Sequence, residues 1–410
     1  MVPKGWEVKS FAKLLKSGDV EKIQDGNHGD SHPKSSDFVK SGIPFVMARD
    51  LKKGTVDLEN CAYITKEQAD SLRIGFAKTG DILLSHKGTV GLVAIVPLCD
   101  EYMMLTPQVT YYRIPQDSSL MSSYLYQFLL SHEYQSRFKN LAFQSTRSYL
   151  GITAQKELFI NLPPLQEQQK IAKILSTWDK AISTTERLIC NSTQQKKALM
   201  QQLLTGKKRL LDDEGNRFEG EWKEVTVSSF GKVVTGSTPP KNEPSNYGGN
   251  ISWATAEDFK QKYVSNTKVK LTDLGANKAR VIPKGSVLVT CIASIGKNAI
   301  ASEDLATNQQ INSVVINKDN SNEFFYYLIE FNTHKLFAWA GTTAVPILNK
   351  TSFEKVKLTA PNLKEQQKIA AVLTNADKEI ELLEQQLADL QQEKKALMQV
   401  LLTGKKRVVV

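Results

Sequence analysis

The sequence predicts an α+β protein: two pseudo-repeated α+β domains separated by two long helices that form an intramolecular coiled coil. Three observations lead there. Residues Pro163–Arg209 and Pro361–Arg407 align without a gap, with 27 of 47 paired positions identical, and an internal repeat of this kind fixes the architecture before any other feature. Within each copy, apolar residues recur at heptad spacing. The stretches between the copies mix strand and helix patterns irregularly, as α+β domains do, and carry faint traces of the same duplication. The expected division is a first domain over 1–162, a helix over 163–209, a second domain over 210–360, and a helix with a short tail over 361–410.

Residues 1–162 open with Trp6-Glu7-Val8 and carry Ile43-Pro44-Phe45-Val46 leading to Asp50-Leu51. Gly80-Asp81-Ile82-Leu83-Leu84 followed by Lys87-Gly88-Thr89-Val90-Gly91 reads as a strand, a glycine-containing turn and a second strand over Leu92–Val96. Gln108 follows Thr106-Pro107, and a helix is expected near Met121–Ser131.

The first helical copy starts at Pro163-Pro164, since proline is tolerated in a first turn and limits extension further back. Apolar or small residues follow at Ile171, Leu175, Trp178, Ile182, Thr185 and Ile189, and resume at Leu199 and Leu203. Their alternating steps of four and three make a heptad seam. Gly206 is a natural C-terminal stop, and Lys207-Lys208-Arg209 suits the negative end of the helix dipole. About 40 residues at 1.5 Å each span roughly 60 Å.

Residues 210–360 repeat the first half in degraded form. Trp222-Lys223-Glu224-Val225 matches Trp6-Glu7-Val8, and Ile251-Ser252-Trp253-Ala254 up to Asp258-Phe259 matches Ile43 to Leu51. Gly285-Ser286-Val287-Leu288-Val289 through Ile295-Gly296 keeps both end glycines of the first block, with a second strand over Ala299–Ala301. Gln309 after Thr307-Asn308 is matched with Gln108, and Asn322–Phe331 with the first short helix. These halves have diverged far more than the helices. Similar scaffolds with different surfaces suggest two related sites that read different things.

The second helical copy keeps the register through Ile369, Leu373, Ala376, Ile380, Leu383, Leu387, Leu390, Leu397 and Leu401, and stops at Gly404 before Lys405-Lys406-Arg407. Lys196 and Lys394 share one seam position, where a charge weakens packing and specifies register. A helix with so narrow an apolar stripe needs a partner. The other copy is the nearest; the alternative is that each helix docks on its own domain or on another chain.

Composition narrows the function. A net charge of +10 and pI near 9.1 over 410 residues favour a polyanionic partner. No run of 18 apolar residues suggests a membrane span, and Met1-Val2-Pro3-Lys4-Gly5-Trp6 lacks the apolar core of a signal peptide. Cys61, Cys99, Cys190 and Cys291 are scattered, without CxxC or a paired histidine, as reduced thiols of a cytoplasmic protein would be.

Leu-Pro-Pro-Leu-x-Glu-Gln-x-x-Ile-Ala-x-x-Leu at Leu162–Leu175 recurs at Ala360–Leu373, with Asn362 in place of one proline, and both copies lead to Leu-Leu-Thr-Gly at Leu203–Gly206 and Leu401–Gly404. Asp25-Gly26-Asn27-His28-Gly29 with His32-Pro33-Lys34, Asp37-Phe38 and Gly42-Ile43-Pro44-Phe45 opens the first variable half; Gly236-Ser237-Thr238-Pro239, Tyr247-Gly248 and Ile251-Ser252-Trp253 open the second. This ordered set resembles the specificity subunit of type I restriction–modification systems over nearly the whole chain. The resemblance implies two target recognition domains, each reading one half of a bipartite, asymmetric double-stranded DNA target. It implies that the helices pack as an antiparallel coiled coil, set the gap between the half-sites, and dock two modification subunits that carry S-adenosylmethionine and methylate adenine. Where present, two restriction subunits using ATP and Mg translocate and cleave the DNA. The chain itself would hold no cofactor and perform no catalysis. A structural scaffold joining two protein-binding domains without DNA contact is the alternative reading.

Candidate DNA-reading residues are polar or basic side chains in the loops of each recognition domain. In the first half these are His28, His32, Lys34, Arg49, Lys52, Lys53, His86, Lys87, Arg147 and Tyr149; in the second, Lys241, Lys260, Lys297, Thr342, Thr343 and Lys350. Lysine and arginine neutralise phosphates, and a few side chains at base edges carry specificity. Lys207-Lys208-Arg209 and Lys405-Lys406-Arg407 are either phosphate contacts or helix-end charges. Glu167 and Glu365, in the first turns of their helices, suit the positive end of the dipole.

No complete catalytic motif is legible in the sequence. Asn161-Leu162-Pro163-Pro164-Leu165 only approximates an amino-methyltransferase loop, because leucine splits asparagine from the prolines, and it reads as a helix entry. Gly296-Lys297 lacks the spacing of a phosphate-binding loop, Asp81 with Lys87 is a poor match to a nuclease metal site, and the five histidines show no metal-ligand spacing.

Overall fold

The computed structural model describes residues 2–29, 32–142, 148–340 and 345–409. The chain divides into two compact units, Met1–Arg187 with Gln385–Val410, and Leu188–Glu384. Each unit holds one α+β domain, the first part of one long helix and the last part of the other.

In the first unit, one four-stranded sheet runs Ala62–Ile64, Ile43–Val46, Met103–Leu105, Phe76–Ala77, and a second runs Lys22–Asp25, Val109–Arg113, Ile82–Ser85, Val93–Ile95. Every residue of Ile82–Ser85 is buried, because helices cover one face and the other sheet covers the other. Strand Glu7–Ser10 pairs antiparallel with Phe159–Leu162, which joins the beginning of the domain to its exit just before the first long helix. The core packs Phe11, Tyr112, Tyr124, Phe128, Tyr134 and Phe138 against Ile171 and Leu175 of the first long helix and Met398, Leu401 and Leu402 of the second.

The second unit repeats this plan. A five-stranded sheet runs Gly231–Thr235, Ile311–Ile316, Val287–Thr290, Asn298–Ala301, Tyr263–Val264, and a four-stranded sheet runs Val269–Leu271, Tyr247–Ala254, Leu305–Thr307, Val281–Ile282. Strand Lys223–Thr226 pairs with Lys357–Ala360. Its core joins Phe230, Phe324, Phe325 and Phe353 to Met200, Leu203 and Leu204 of one helix and Ile369 and Leu373 of the other.

The long helices span Leu165–Leu203 and Leu363–Leu401. At the second start, Asn362 replaces the proline and its side-chain oxygen accepts the Glu365 backbone N–H at 3.0 Å, a substitute cap for the first turn. Both helices stop in the same way. Gly206 and Gly404 take φ of +69° and +71°, and Lys208 N–H donates to Gln202 O at 3.1 Å as Lys406 N–H does to Val400 O at 3.0 Å. Each bond reaches back six residues across a left-handed glycine and occupies one of the last free carbonyls of the helix.

In each unit the helices run antiparallel. Lys394 Nζ meets Asp179 at 2.5 Å in the first unit, and Lys196 Nζ meets Asp377 at 2.7 Å in the second. The seam lysines therefore pair across helices, and the pairs are repeat-equivalent. Seam residues within the domain cores are buried, among them Ile171, Leu175, Leu203, Ile369, Leu373 and Leu401. Leu199 and Leu397, and those towards mid-helix (Trp178, Ile182, Ile189, Ala376, Ile380, Leu383, Leu387 and Leu390), are half-buried, as expected where only two helices meet.

The Glu-Gln of each helix start has a defined task. Gln168 Oε1 accepts Met121 N–H at 2.9 Å while its amide donates to Ser119 O and Pro163 O, both at 2.8 Å. Gln366 Oε1 accepts Ser321 N–H at 3.0 Å and its amide donates to Asn320 Oδ1 and Pro361 O. Each glutamine thus caps the short helix of its domain and ties it to the long helix. Glu167 and Glu365 are buried and accept fork-like contacts from Arg407 and Arg209: Arg209 Nε and Nη2 reach the two Glu365 oxygens at 2.6 and 2.7 Å, and Arg407 Nε reaches Glu167 Oε2 at 2.7 Å. These arginines are engaged by carboxylates, as helix-end charges with defined partners, and Glu167 and Glu365, in the first turns of their helices, gain a partner beyond the helix dipole. Asn161 is likewise structural, donating from Nδ2 to Leu402 O at 3.0 Å.

The units also correct one alignment. Thr106 N–H donates to Val46 O as Asn308 N–H does to Ala254 O, and His86 N–H donates to Gln108 O as Cys291 N–H does to Gln310 O. The counterpart of Gln108 is therefore Gln310, not Gln309; sequence comparison slipped by one because glutamine occupies both positions.

Candidate nucleic-acid interface

Two parallel strands build the platform of the first recognition domain. Ile43–Val46 lies parallel to Met103–Leu105, so the turns leaving both strands emerge on one side. Between them passes Asp25-Gly26-Asn27: Gly26 N–H donates to Val109 O and Asn27 N–H to Leu105 O. A Cβ on Gly26 would stand 2.1 Å from Thr106 O, so only glycine passes there. Gly236 holds the equivalent place in the second domain, 2.1 Å from Asn308 O. This explains the glycine in both opening motifs.

Above that platform lies a cleft of about 580 Å³ lined by His32, Lys34, Arg49, Lys87, Thr106 and Gln108, with Phe38, Phe45 and Met47 among its apolar walls. Four of the sequence-predicted residues meet here. His32 is half-buried, its Nδ1 3.1 Å from Asn27 O and its ring 5.3 Å from Phe45. Lys34, Arg49 and Lys87 are exposed. Buried polar atoms with no hydrogen-bond partner among the described residues gather around this floor: Asn27 Nδ2, Thr106 Oγ1 and His86 Nε2. Such groups are rare in folded proteins, and each calls for a partner or a role of its own.

The remaining first-domain candidates fare differently. His28 is exposed, 3.8 Å from Asp25. Lys52 pairs with Asp57 at 2.8 Å and Lys53 with Glu186 at 3.5 Å. Tyr149 is exposed and forms a single bridge with Lys87, which places it beside the cleft. His86 lies in a loop, as expected, but is buried. Its Nδ1 lies 3.2 Å from Leu150 O and its ring 5.5 Å from that of Tyr149, and burial pushes its pKa down. It supports Tyr149 from below. Arg147, Thr342 and Thr343 lie outside the described residues.

In the second domain, Lys241, Lys260, Lys297 and Lys350 are all exposed. Lys297 Nζ donates to Ala256 O at 2.7 Å and Lys350 lies 3.6 Å from Glu354. The turn that follows Gly236 is held by Thr238 on Gln309 and by Trp253 Nε1 donating to Ser237 O at 3.0 Å. The Lys87–Tyr149 bridge recurs as Ile292–Ile347, so the same backbone presents aliphatic groups where the first domain presents a cation and a phenol.

Sequence reasoning passed over Gln108 and Met47 as cleft residues. Gln108 was visible as a repeated glutamine, but nothing in its neighbours indicated that it lines a cavity. The clamps of Arg209 and Arg407 were also missed, although both partners of each pair are identical in the two copies. Among the described residues, no group of three or more His, Cys, Asp or Glu side chains is arranged to hold a metal, and no helix is long and apolar enough to cross a membrane.

The model for the type I restriction modification DNA specificity domain matches residues 3–190 and again 219–392. The chain belongs to this family. This specificity-family chain is 26% identical to the putative type I restriction enzyme MjaX specificity subunit of Methanocaldococcus jannaschii, over 99% of this chain and 95% of that protein. It is 26% identical to the MjaVIII specificity subunit of the same organism, over 99% and 94%. Among solved structures, the S subunit of a type I restriction–modification system from M. genitalium superimposes with a TM-score of 0.61 at 15% identity, covering 98% of this chain and 96% of that one. A chain of another solved type I system gives 0.62 at 15% identity over 99% and 100%. At that identity the structures attest the fold: two α+β domains and two long helices packed on one another.

Proposed function

We propose that this chain is the sequence-reading, non-catalytic subunit of a cytoplasmic type I restriction–modification complex. Each recognition domain reads one half of a split, asymmetric DNA target. The paired helices fix the number of unread base pairs and, with neighbouring surfaces, dock two modification subunits. S-adenosylmethionine and adenine methylation belong to those subunits, and ATP- and Mg-dependent cleavage to restriction subunits where these join. One observation carries the reading: the two units share an identical clamp of domain to helix, Glu, Gln, Asp, Lys and Arg in equivalent places, while the faces above the platform differ. A protein whose frame is duplicated and whose reading surfaces are not has two different things to read at one separation. Excess positive charge supplies sequence-independent affinity for phosphates, leaving the cleft residues to discriminate.

The decisive experiment is methylation mapping of DNA from cells expressing this chain with its modification subunit. The expected result is one bipartite motif with an unread gap. A contiguous motif, or methylation without sequence preference, would refute the proposal.

A further inference from the structure

The two domains present one single-turn element in equivalent settings with opposite charge at its tip. In the first domain the turn is Ala48–Asp50, directly after strand Ile43–Val46; in the second it is Ala256–Asp258, directly after Tyr247–Ala254. Each preceding strand ends against a parallel partner, Val46 beside Leu105 and Ala254 beside Thr307. Each turn is closed by its own aspartate: Asp50 Oδ2 accepts Met47 N–H at 2.8 Å, and Asp258 Oδ2 accepts Thr255 N–H at 2.8 Å. The backbone is thus held in the same way twice, and alanine precedes the tip in both. The tip itself is Arg49 in one domain and Glu257 in the other, both exposed.

Arg49 reaches the cationic cleft and, among the described residues, has its neighbour Asp50, at 3.7 Å, as its one ionic contact. Glu257 forms no ion pair among the described residues, although Lys297 Nζ bonds the adjacent Ala256 carbonyl and Lys260 follows three residues on. A carboxylate amid lysines, on a chain of net charge +10, opposes phosphate binding. At a DNA surface such a carboxylate can accept a hydrogen bond from a base amine.

Resting on the proposed DNA-reading function, we infer that this turn is the base-discriminating element of each domain, with Arg49 and Glu257 as specificity-determining residues of opposite preference. Arg49 donates to the O6 and N7 acceptors of guanine. Glu257 accepts from an exocyclic amine at the major-groove edge, that of cytosine N4. The two half-sites therefore differ in chemistry at the position this turn meets.

The test uses the chain assembled with its modification subunit, in cells, with methylation mapping of genomic DNA. Arg49→Gln is expected to relax one guanine position in one half-site. Glu257→Gln is expected to relax one cytosine position in the other, each by roughly 5- to 150-fold in discrimination. The gap and the opposite half-site stay unchanged. Arg49→Glu and Glu257→Arg should change the preferred base instead of only weakening it. Thermal melting of each variant at the wild-type temperature confirms that the turn still folds. An unchanged motif in all four variants, or uniform weakening at every sequence, as loss of a phosphate contact gives, would overturn the inference. If the wild-type chain itself yields no bipartite motif, the proposed function fails first, so the two failures are distinguishable.

Discussion

Glu365 has no exposed side-chain surface, and both its oxygens are held by Arg209, which also donates to Gly220 O at 2.9 Å. Removing one partner of such a pair leaves a buried charge uncompensated, at a cost of about 3–5 kcal/mol. Arg209→Ala should lose that much in chemical denaturation, and Arg209→Ala with Glu365→Gln should recover part of it. The repeat-equivalent Glu167 adds a pH signature. The Arg407 guanidinium holds its carboxyl below the ordinary 4.5, against the opposing effect of burial, with Trp6 Nε1 as a further donor. Because the folded value is the lower one, the stabilisation is fully present above 4.5 and is lost as pH falls through the folded value. The stability difference between wild type and Glu167→Gln should therefore shrink as pH is lowered from 5 in thermal melts; a constant difference would contradict the assignment. Sequence alone placed these four side chains at helix ends but could not pair them. The partners lie 156 and 240 residues apart, and a side chain's identity does not state its distance from another.

At the scale of elements, the long helices were the most legible part of the chain. Heptad spacing, proline at the first start and glycine at the stops all act locally, and the structure's helices begin and end at equivalent residues. The glycines are constrained twice: by positive φ, and by crowding from Trp222 at 3.3 Å beyond Gly206 and Pro3 at 2.5 Å beyond Gly404. Left-handed backbone at a residue with a Cβ costs about 1–3 kcal/mol. Gly206→Ala and Gly404→Ala should each lower stability by about that amount, with the larger loss at Gly404, where a proline ring must move; equal wild-type midpoints in urea would disprove the argument. Strand pairings were harder to read. Ile43–Val46 and Met103–Leu105 are parallel neighbours almost 60 residues apart in sequence, and their register follows from packing, not from any local signal. The one-residue slip at Gln309 has the same origin, since hydrogen bonds along the strand ends, not residue identity, define equivalence.

At the scale of the whole molecule, the proposal makes the helices a ruler. Inserting one heptad after Thr185 and a matching one after Leu383 adds about 10 Å at 1.5 Å per residue, or about three base pairs at 3.4 Å each. Methylation mapping should then find both half-sites unchanged and the gap longer by about three pairs. A new half-site sequence at the old gap would refute the ruler. Exchanging residues 1–160 for those of another family member should change one half-site only.

By itself the sequence determined the duplication, the helices with their starts and stops, the family, and the two-domain plan. Each of these is written in local periodicity, in residues with special backbone demands, or in the repeat itself. Tertiary structure decided which side chains meet. It drew His32, Lys34, Arg49, Lys87 and Gln108 to one cleft, buried His86 beneath Tyr149, committed Arg209 and Arg407 to carboxylates, and set Arg49 and Glu257 on matching turns. Such contacts arise from long-range strand register and helix packing, whose energies depend on surfaces brought together only when the chain is folded.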